Sequence, residues 1–313
     1  MQITLKSTPL SSIHLEEDTY FFAPESSPGF LSTQLIESIQ EVGILHPPLI
    51  QQINDREEHI VISGFKRLAI LKKISPTARI HCLVLPATCS PSELLIILYH
   101  HWVADRQPSI VEQARYFKKA YNFIDQATLL SFAQQLGHKP TMRVVDDLIS
   151  LLDLEQSVVL ALHKGTLQPR TARKIRSLDK LEQNTVAGLI AAYKLGGSKQ
   201  QKMVDLGMEL SMRKKVSWRD IGEKWLVEEG DSDRNIPQQG TKFLEWLFEQ
   251  CHPRSCGAES EFSEFVRTLN LPSKATISHA PFFESDELYL TIKYKNRMEL
   301  QKEFLSMHLT DTP

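Results

Sequence analysis

A change of pattern at Pro91 constrains this chain more than any other feature. Before it, short runs rich in Ile and Val ("PPLIQQI", "HIVIS", "RIHCLVL") alternate with helical stretches; after it, strand signals stop until the last fifty residues. Apolar residues spaced three and four apart mark helices, and short β-branched runs bounded by polar turns mark strands. The spacing predicts a helix over "FLSTQLIESIQEVGI", with Leu35, Ile36 and Ile39 on one face, Ser32 or Thr33 as the cap and Gly43 as the stop. "PPLIQQI" and "HIVIS" flank the polar Asn54-Asp55-Arg56-Glu57-Glu58 and read as a hairpin. A helix from Phe65 to Ile74 and the strand "RIHCLVL" complete a small mixed unit.

Beyond Pro91, "SPSELLIILYHHWV", "SIVEQARYFKKAYNFI", "ATLLSFAQQLG", "TMRVVDDLISLLDL", "EQSVVLALHKG", "QPRTARKIRSL" and "QNTVAGLIAAYKLGG" carry helical spacing and end in Gly, Pro or polar breaks. A bundle of short helices accounts for them. "VEEGDSDRNIPQQG" has no apolar periodicity and reads as a linker. Two helices follow, "KFLEWLFEQC" and "EFSEFVRTLN". In the next strand Leu288, Leu290, Ile292 and Tyr294 form one face to be buried, and a last helix is "RMELQKEFLSMHL". The expected fold class is α+β: a mixed N-terminal domain (1–90), an all-α domain (91–227), a linker (228–240) and a small α/β unit (241–313).

The 313 residues suit two or three domains. No apolar run approaches the roughly 18 residues of a membrane span, and "MQITLKSTPLSSIHLEED" has no apolar core of an export signal. The expectation is a cytoplasmic protein without a membrane partner. Four cysteines, Cys82, Cys89, Cys251 and Cys256, are too few for a disulfide framework and read as thiols. Cys251, His252 and Cys256 lack a fourth ligand at usable spacing, so no structural metal is expected. His100 and His101, adjacent on a helix, point apart; Trp218, Trp225 and Trp246 read as packing residues.

Net charge is −2, which alone would argue against nucleic acid. The distribution reverses that. From Lys164 to Arg219, 13 Lys and Arg stand against four Asp and Glu, so positive charge is concentrated in one stretch. "LLSFAQQLGHKPTMRVVDDLISLL" places a short turn between two helices, a helix-turn-helix arrangement with Lys139, Thr141, Met142 and Arg143 at the leading end of the second helix. Asp146 and Asp147 follow one turn later and would repel phosphate unless they face away or accept from cytosine amino groups. Lys164, Arg170, Arg173, Lys174 and Arg176 come next, as phosphate contacts that supply affinity rather than sequence choice.

"ISGFKRLAIL" opens a helix with Gly64 and two adjacent cations, Lys66 and Arg67. Cations sit poorly at a helix start, where exposed amides and the helix dipole attract anions, so a phosphate would rationalise the placement; an ordinary basic surface is the alternative.

"LIESIQEVGILHPPLIQQI", "HIVISGFKRLAILKKI" and "IHCLVL" resemble, in order and spacing, the N-terminal domain of the ParB family of partition proteins. There a helix leads to a Gly-x-x-Gln-Pro turn, a hairpin and a Gly-Glu-Arg-Arg-x-Arg-Ala phosphate motif. The resemblance continues more loosely through "SIVEQARYFKKAY" to about residue 220. It implies CTP with Mg2+ at the N-terminal domain, double-stranded DNA at the helical domain, a homodimer, a place for a partner ATPase and a nucleoid location. By position, Gly64, Lys66 and Arg67 would hold phosphates and His46-Pro47-Pro48 would lie near the base. The chain departs from the family's motifs at functional positions. Phe65 stands where the motif has Glu, Ala69 where it has its last Arg, and the family's Glu-Asn-x-x-Arg falls at His101–Asp105 without a match, Arg106 lying one residue on. Weak or absent hydrolysis follows. Two further functions are open: a nucleoid or transcriptional regulator that has lost its nucleotide switch, and a small-molecule kinase on the same fold. Sulfiredoxin chemistry needs a Cys where Phe65 stands.

Overall fold

The computed structural model describes residues 3–17, 19–24, 31–53, 57–229, 236–280, 283 and 285–301. These are α+β. β1 (Thr4–Pro9), a single 3-10 turn (Leu10–Ser12), β2 (Ile13–His14), α1 (Thr33–Val42), β3 (Leu49–Gln52), β4 (His59–Ser63), α2 (Phe65–Ile74) and β5 (Arg79–Leu85) come first. The sheet runs β1-β5-β3-β4-β2, with β1 and β5 antiparallel, β5 and β3 parallel, β3 and β4 antiparallel, and β4 and β2 parallel. Leu10, Ile13, Ile50, Val61, Leu68, Ile80, Cys82 and Val84 bury together, with Phe65 and Leu71 packed against them.

Local chemistry sets the ends of these elements. Ser32 accepts from the Leu35 amide at the start of α1, and Gly43, at φ +73°, stops it. Of the polar turn expected at Asn54–Glu58, residues 54–56 lie outside the described ones. The sequence carries no signal for β1: it is an edge strand with mostly exposed side chains, so it shows no apolar alternation.

α3 (Pro91–Asp105) and α4 (Ile110–Ala120) each begin with a reciprocal capping box, Ser90 with Glu93 and Ser109 with Glu112. Next come α5 (Gln126–Gln135), α6 (Met142–Ser150), a second 3-10 turn (Leu151–Asp153), α7 (Gln156–His163), α8 (Pro169–Ile175), α9 (Lys180–Ala192), α10 (Gly197–Lys214) and α11 (Trp218–Glu229). The helical core centres on Tyr99, whose ring stacks on Phe132 at 3.8 Å, with Tyr116 and Phe117 buried beside it. Buried glutamines tie its turns together: Gln183 accepts from the Glu155 amide and donates to the Leu178 carbonyl, and Gln200 accepts from the Gln168 amide and donates to Thr166 and Leu195.

The rest of the chain forms α12 (Ile236–Cys251), α13 (Pro253–Thr268) and the antiparallel pair β6 (Ala275–His279) and β7 (Leu288–Ile292). Contacts divide the chain into two compact units, Met1–Asp205 with Ser217–Gly240, and Leu206–Val216 with Thr241–Pro313. Of the linker expected at 228–240, residues 230–235 lie outside the described ones and Ile236 already opens α12. α13 starts at Pro253, earlier than periodicity places it, because Pro suits a first helical turn. The expected burial of this face of β7 is found only in part: Leu288 and Leu290 are 50% and 59% exposed, while Ile292 and Tyr294 are partly buried, with the Lys274 ammonium over the Tyr294 ring. Of the last expected helix, residues 302–309 lie outside the described ones. Trp218, Trp225 and Trp246 are buried, Trp225 donating to the Tyr193 hydroxyl. Cys251 is buried and donates to the Leu206 carbonyl. Among the described residues, no helix is long and apolar enough to cross a membrane.

Candidate functional site

Gly64 ends β4 and caps α2 in the left-handed region, φ +95° and ψ 14°. Only glycine fits there. A Cβ would lie 2.9 Å from Pro48 Cβ and 3.2 Å from Arg67 Nη2, in addition to the cost of a positive φ. The chain therefore turns into α2 directly against the His46-Pro47-Pro48 turn. Among the described residues no side chain caps α2, and its first turn holds no acidic residue. The amides of a first helical turn have no intrahelical acceptor and point out of the helix end, together with the positive pole of its dipole.

This mouth opens into a cavity of about 560 Å³, within the range of small-ligand sites. It is lined by Ser63 to Arg67 at the start of α2, by His101 and Trp102 of α3 with the C-cap Arg106, and by Glu112 of α4. Tyr20, Phe21 and Phe22 line it too, Phe21 stacking on Phe65 at 4.8 Å and Phe22 meeting Trp102 edge-on at 5.4 Å. Arg115 donates to the Ala23 carbonyl at 3.0 Å and so holds this aromatic segment to α4.

Of the five residues expected at the nucleotide, His46, Gly64, Lys66, Arg67 and Arg106, all line this cavity. Lys66 is half-buried, and desolvation draws its ammonium below the usual lysine range, offset by Glu112 and reinforced by Arg106. Arg67 has a second role that sequence spacing does not reveal: its Nη1 donates to the His46 carbonyl and pins the turn to α2. Arg106 forms a two-point fork with Glu112, which also accepts from the Ser109 amide at 2.8 Å. Burial raises the Glu112 carboxyl, yet the Arg106 and Ser109 hydrogen bonds hold it below the ordinary carboxylate range. Ser109 Oγ in turn meets His163 Nδ1 at 2.8 Å, so the cavity wall connects to the end of α7.

Glu112 and Phe21 carry no site signal in the sequence, and His101 and Trp102 are marked there only by the position at which the family's second motif falls without a match. Glu112 shows there only as the fourth residue of a capping box, Ser-x-x-Glu, which signals a helix start and not a site. Of the two adjacent histidines, His101 faces the cavity, and its Nδ1 is buried with no hydrogen-bond partner among the described residues.

At the second expected site, α5 and α6 are joined by a tight turn. Gly137, at φ +85°, lets the chain reverse, and His138 donates its amide to the Ala133 carbonyl. His138 Nε2 also lies 2.6 Å from Gln113 Oε1, which ties the turn to α4. Lys139, Thr141 and Arg143 are exposed and Met142 is partly so. Asp147 is engaged within the domain, accepting from Arg173 Nε at 2.5 Å, with Arg176 Nη1 3.8 Å away. Arg176 further donates to Ser150 Oγ, and Lys174 pairs with Asp205 at 2.5 Å. Lys164 and Arg170 are exposed on the same segment. Arg173, Lys174 and Arg176 are thus joined to carboxylates of the helical domain itself.

No protein-family model matches the chain, and no curated protein matches it. Among solved structures it is similar to the C-terminally truncated chromosome-partitioning protein ParB from Caulobacter crescentus complexed with CTP-γ-S, with 19% identity, 60% of this chain and 99% of that chain covered, and a TM-score of 0.27. It is also similar to the truncated ParB from that organism complexed to the centromeric parS site, at 17% identity, with 64% and 98% covered and a TM-score of 0.35.

Proposed function

We propose that the chain is a ParB-like DNA-binding protein of chromosome or plasmid partition, which takes a cytidine nucleotide at the mouth of α2. The observation that carries this is the convergence of Gly64, Lys66 and Arg67 with Arg106 and an aromatic wall around one cavity. The helix end and three cations suit phosphates, Phe21 and Phe65 offer faces for a base or sugar, and the buried His101 Nδ1 awaits a polar partner. Duplex DNA is read by a helix-turn-helix of α5 and α6, with Lys139, Thr141, Met142 and Arg143 toward base edges, while Lys164, Arg170, Arg173, Lys174 and Arg176 face phosphates. The chain acts as a homodimer on the nucleoid in the cytoplasm, where an ATPase could engage it. Its exposed β7 face is one surface available for self-association.

A second reading, a regulator without a nucleotide switch, draws on Phe65, which puts an aromatic ring at the cavity where the family has a carboxylate. The kinase reading is weaker, because Glu112 is the single carboxylate among the described residues lining the cavity and Arg106 and Ser109 occupy both its oxygens. Calorimetric titration with the four common nucleotides, with and without DNA, separates these readings. Selective CTP binding that alters DNA affinity is the outcome expected of a partition protein. DNA binding indifferent to every nucleotide supports the regulator instead.

A further inference from the structure

We infer that the α2 cavity binds the phosphates of its ligand as a bare anion, without the divalent cation that usually accompanies a nucleotide. The inference rests on the nucleotide reading of the site and concerns how that site balances charge.

Magnesium is held through oxygen ligands, commonly one or two protein carboxylates together with phosphates and waters. The donor set of this cavity does not fit that requirement. Among the described residues lining it, Glu112 is the single carboxylate. Its Oε1 accepts from Arg106 Nη2 at 2.5 Å, and its Oε2 accepts from Arg106 Nη1 at 2.9 Å and from the Ser109 amide at 2.8 Å. Its side chain is 4% exposed. A metal could reach those oxygens only by displacing a guanidinium fork and opening the cap of α4. The other side-chain donors are the Ser63 and Tyr20 hydroxyls and the imidazoles of His46 and His101. Burial pushes the Tyr20 phenol above its ordinary value and keeps it neutral, and imidazole is a poor ligand for so hard a cation.

The charges already present do the work that a metal would otherwise do. Lys66, Arg67 and Arg106 line one cavity beside the amides and dipole of α2. Three cations against one engaged carboxylate repel a further cation and attract a polyanion. Phe65, the first residue of α2, adds a ring where a carboxylate could have recruited the metal. A cavity of this kind positions phosphates without supplying the metal that ordinarily neutralises charge during their transfer. The ligand is then retained rather than cleaved.

Calorimetry of the full chain with CTP, in excess EDTA and in saturating MgCl2, tests this directly. The expected result is an affinity in EDTA equal to that in magnesium within about twofold, or tighter. An affinity about tenfold or more weaker in EDTA overturns the inference while leaving nucleotide binding intact. No heat with CTP or with pyrophosphate in either buffer overturns the reading of the site itself, and this inference with it. As a second readout, protein titrated into Mn2+–CTP should release free Mn2+, seen as a growing aqueous Mn2+ signal in electron paramagnetic resonance. A bound ternary Mn2+ signal would contradict the inference.

Discussion

Arg106 and Glu112 meet in a two-point fork, Nη2 to Oε1 at 2.5 Å and Nη1 to Oε2 at 2.9 Å, across the link between α3 and α4. The carboxylate is buried while the guanidinium is half-exposed and lines the cavity. The fork thus fixes a cavity cation by means of a group whose other bond starts the next helix.

Arg106→Ala should therefore cost stability as well as ligand affinity. It leaves a buried carboxylate held by one amide, a loss of about 2 kcal/mol once the half-exposed partner is taken into account. Glu112→Gln should cost less, because an amide oxygen still accepts from Ser109. Urea unfolding of both variants checks the order.

Gly64→Ala should be among the most damaging small changes in the N-terminal unit. The residue needs φ +95°, and the added methyl meets Pro48 at 2.9 Å. A loss of about 2 kcal/mol follows from the positive φ and the clash, with thermal unfolding as the measurement. Binding of CTP should fall as well, since relieving the clash moves the turn from α2.

On the acid side, stability should fall in two stages. Burial holds His59, His138 and His163 below the ordinary imidazole value, so folding favours their neutral forms. Such a group contributes stability that is full above its unfolded pKa and lost as pH falls toward the folded one. The upper stage begins at about pH 6.5. Glu112 obeys the same sign in the carboxylate range: its stabilising charge is full above the unfolded value and is lost as pH drops through its lowered folded value. Urea midpoints followed from neutral pH downward should show both stages, and His138→Gln should diminish the upper one.

The residues proposed to face DNA should separate by role. Arg143→Ala should relax preference among duplexes, whereas Arg170→Ala or Lys164→Ala should weaken all of them alike and reduce the salt slope by about 1. Lys174→Ala should do less than Arg170→Ala, because Lys174 already pairs with Asp205. Equal effects of Arg143 and Arg170 on a random duplex would contradict this division.

Much of the fold is legible in the sequence because its signals are local. Ser32, Gly43 and the alternation of "HIVIS" each act within a few residues, and the structure places α1 and β4 where they indicate. The cationic, glycine-capped start of α2 is legible for the same reason: glycine followed by two cations is a contiguous pattern. What the sequence hides is built by packing. Phe21 lies in an irregular stretch with no periodicity, and it reaches Phe65 only because the sheet and α4 bring the two together. The fork of Arg106 with Glu112 crosses a helix break, and the exposure of β7 depends on what covers a face, which alternation cannot state.

The central claim is that the mouth of α2 is a phosphate cradle. Calorimetric titration of the wild type and Lys66→Ala with CTP, both shown folded by circular dichroism, tests it most directly. The account predicts binding by the wild type and a loss of about tenfold or more in the variant, the worth of one charge-assisted contact in a half-buried site. The same affinity in both proteins would contradict it.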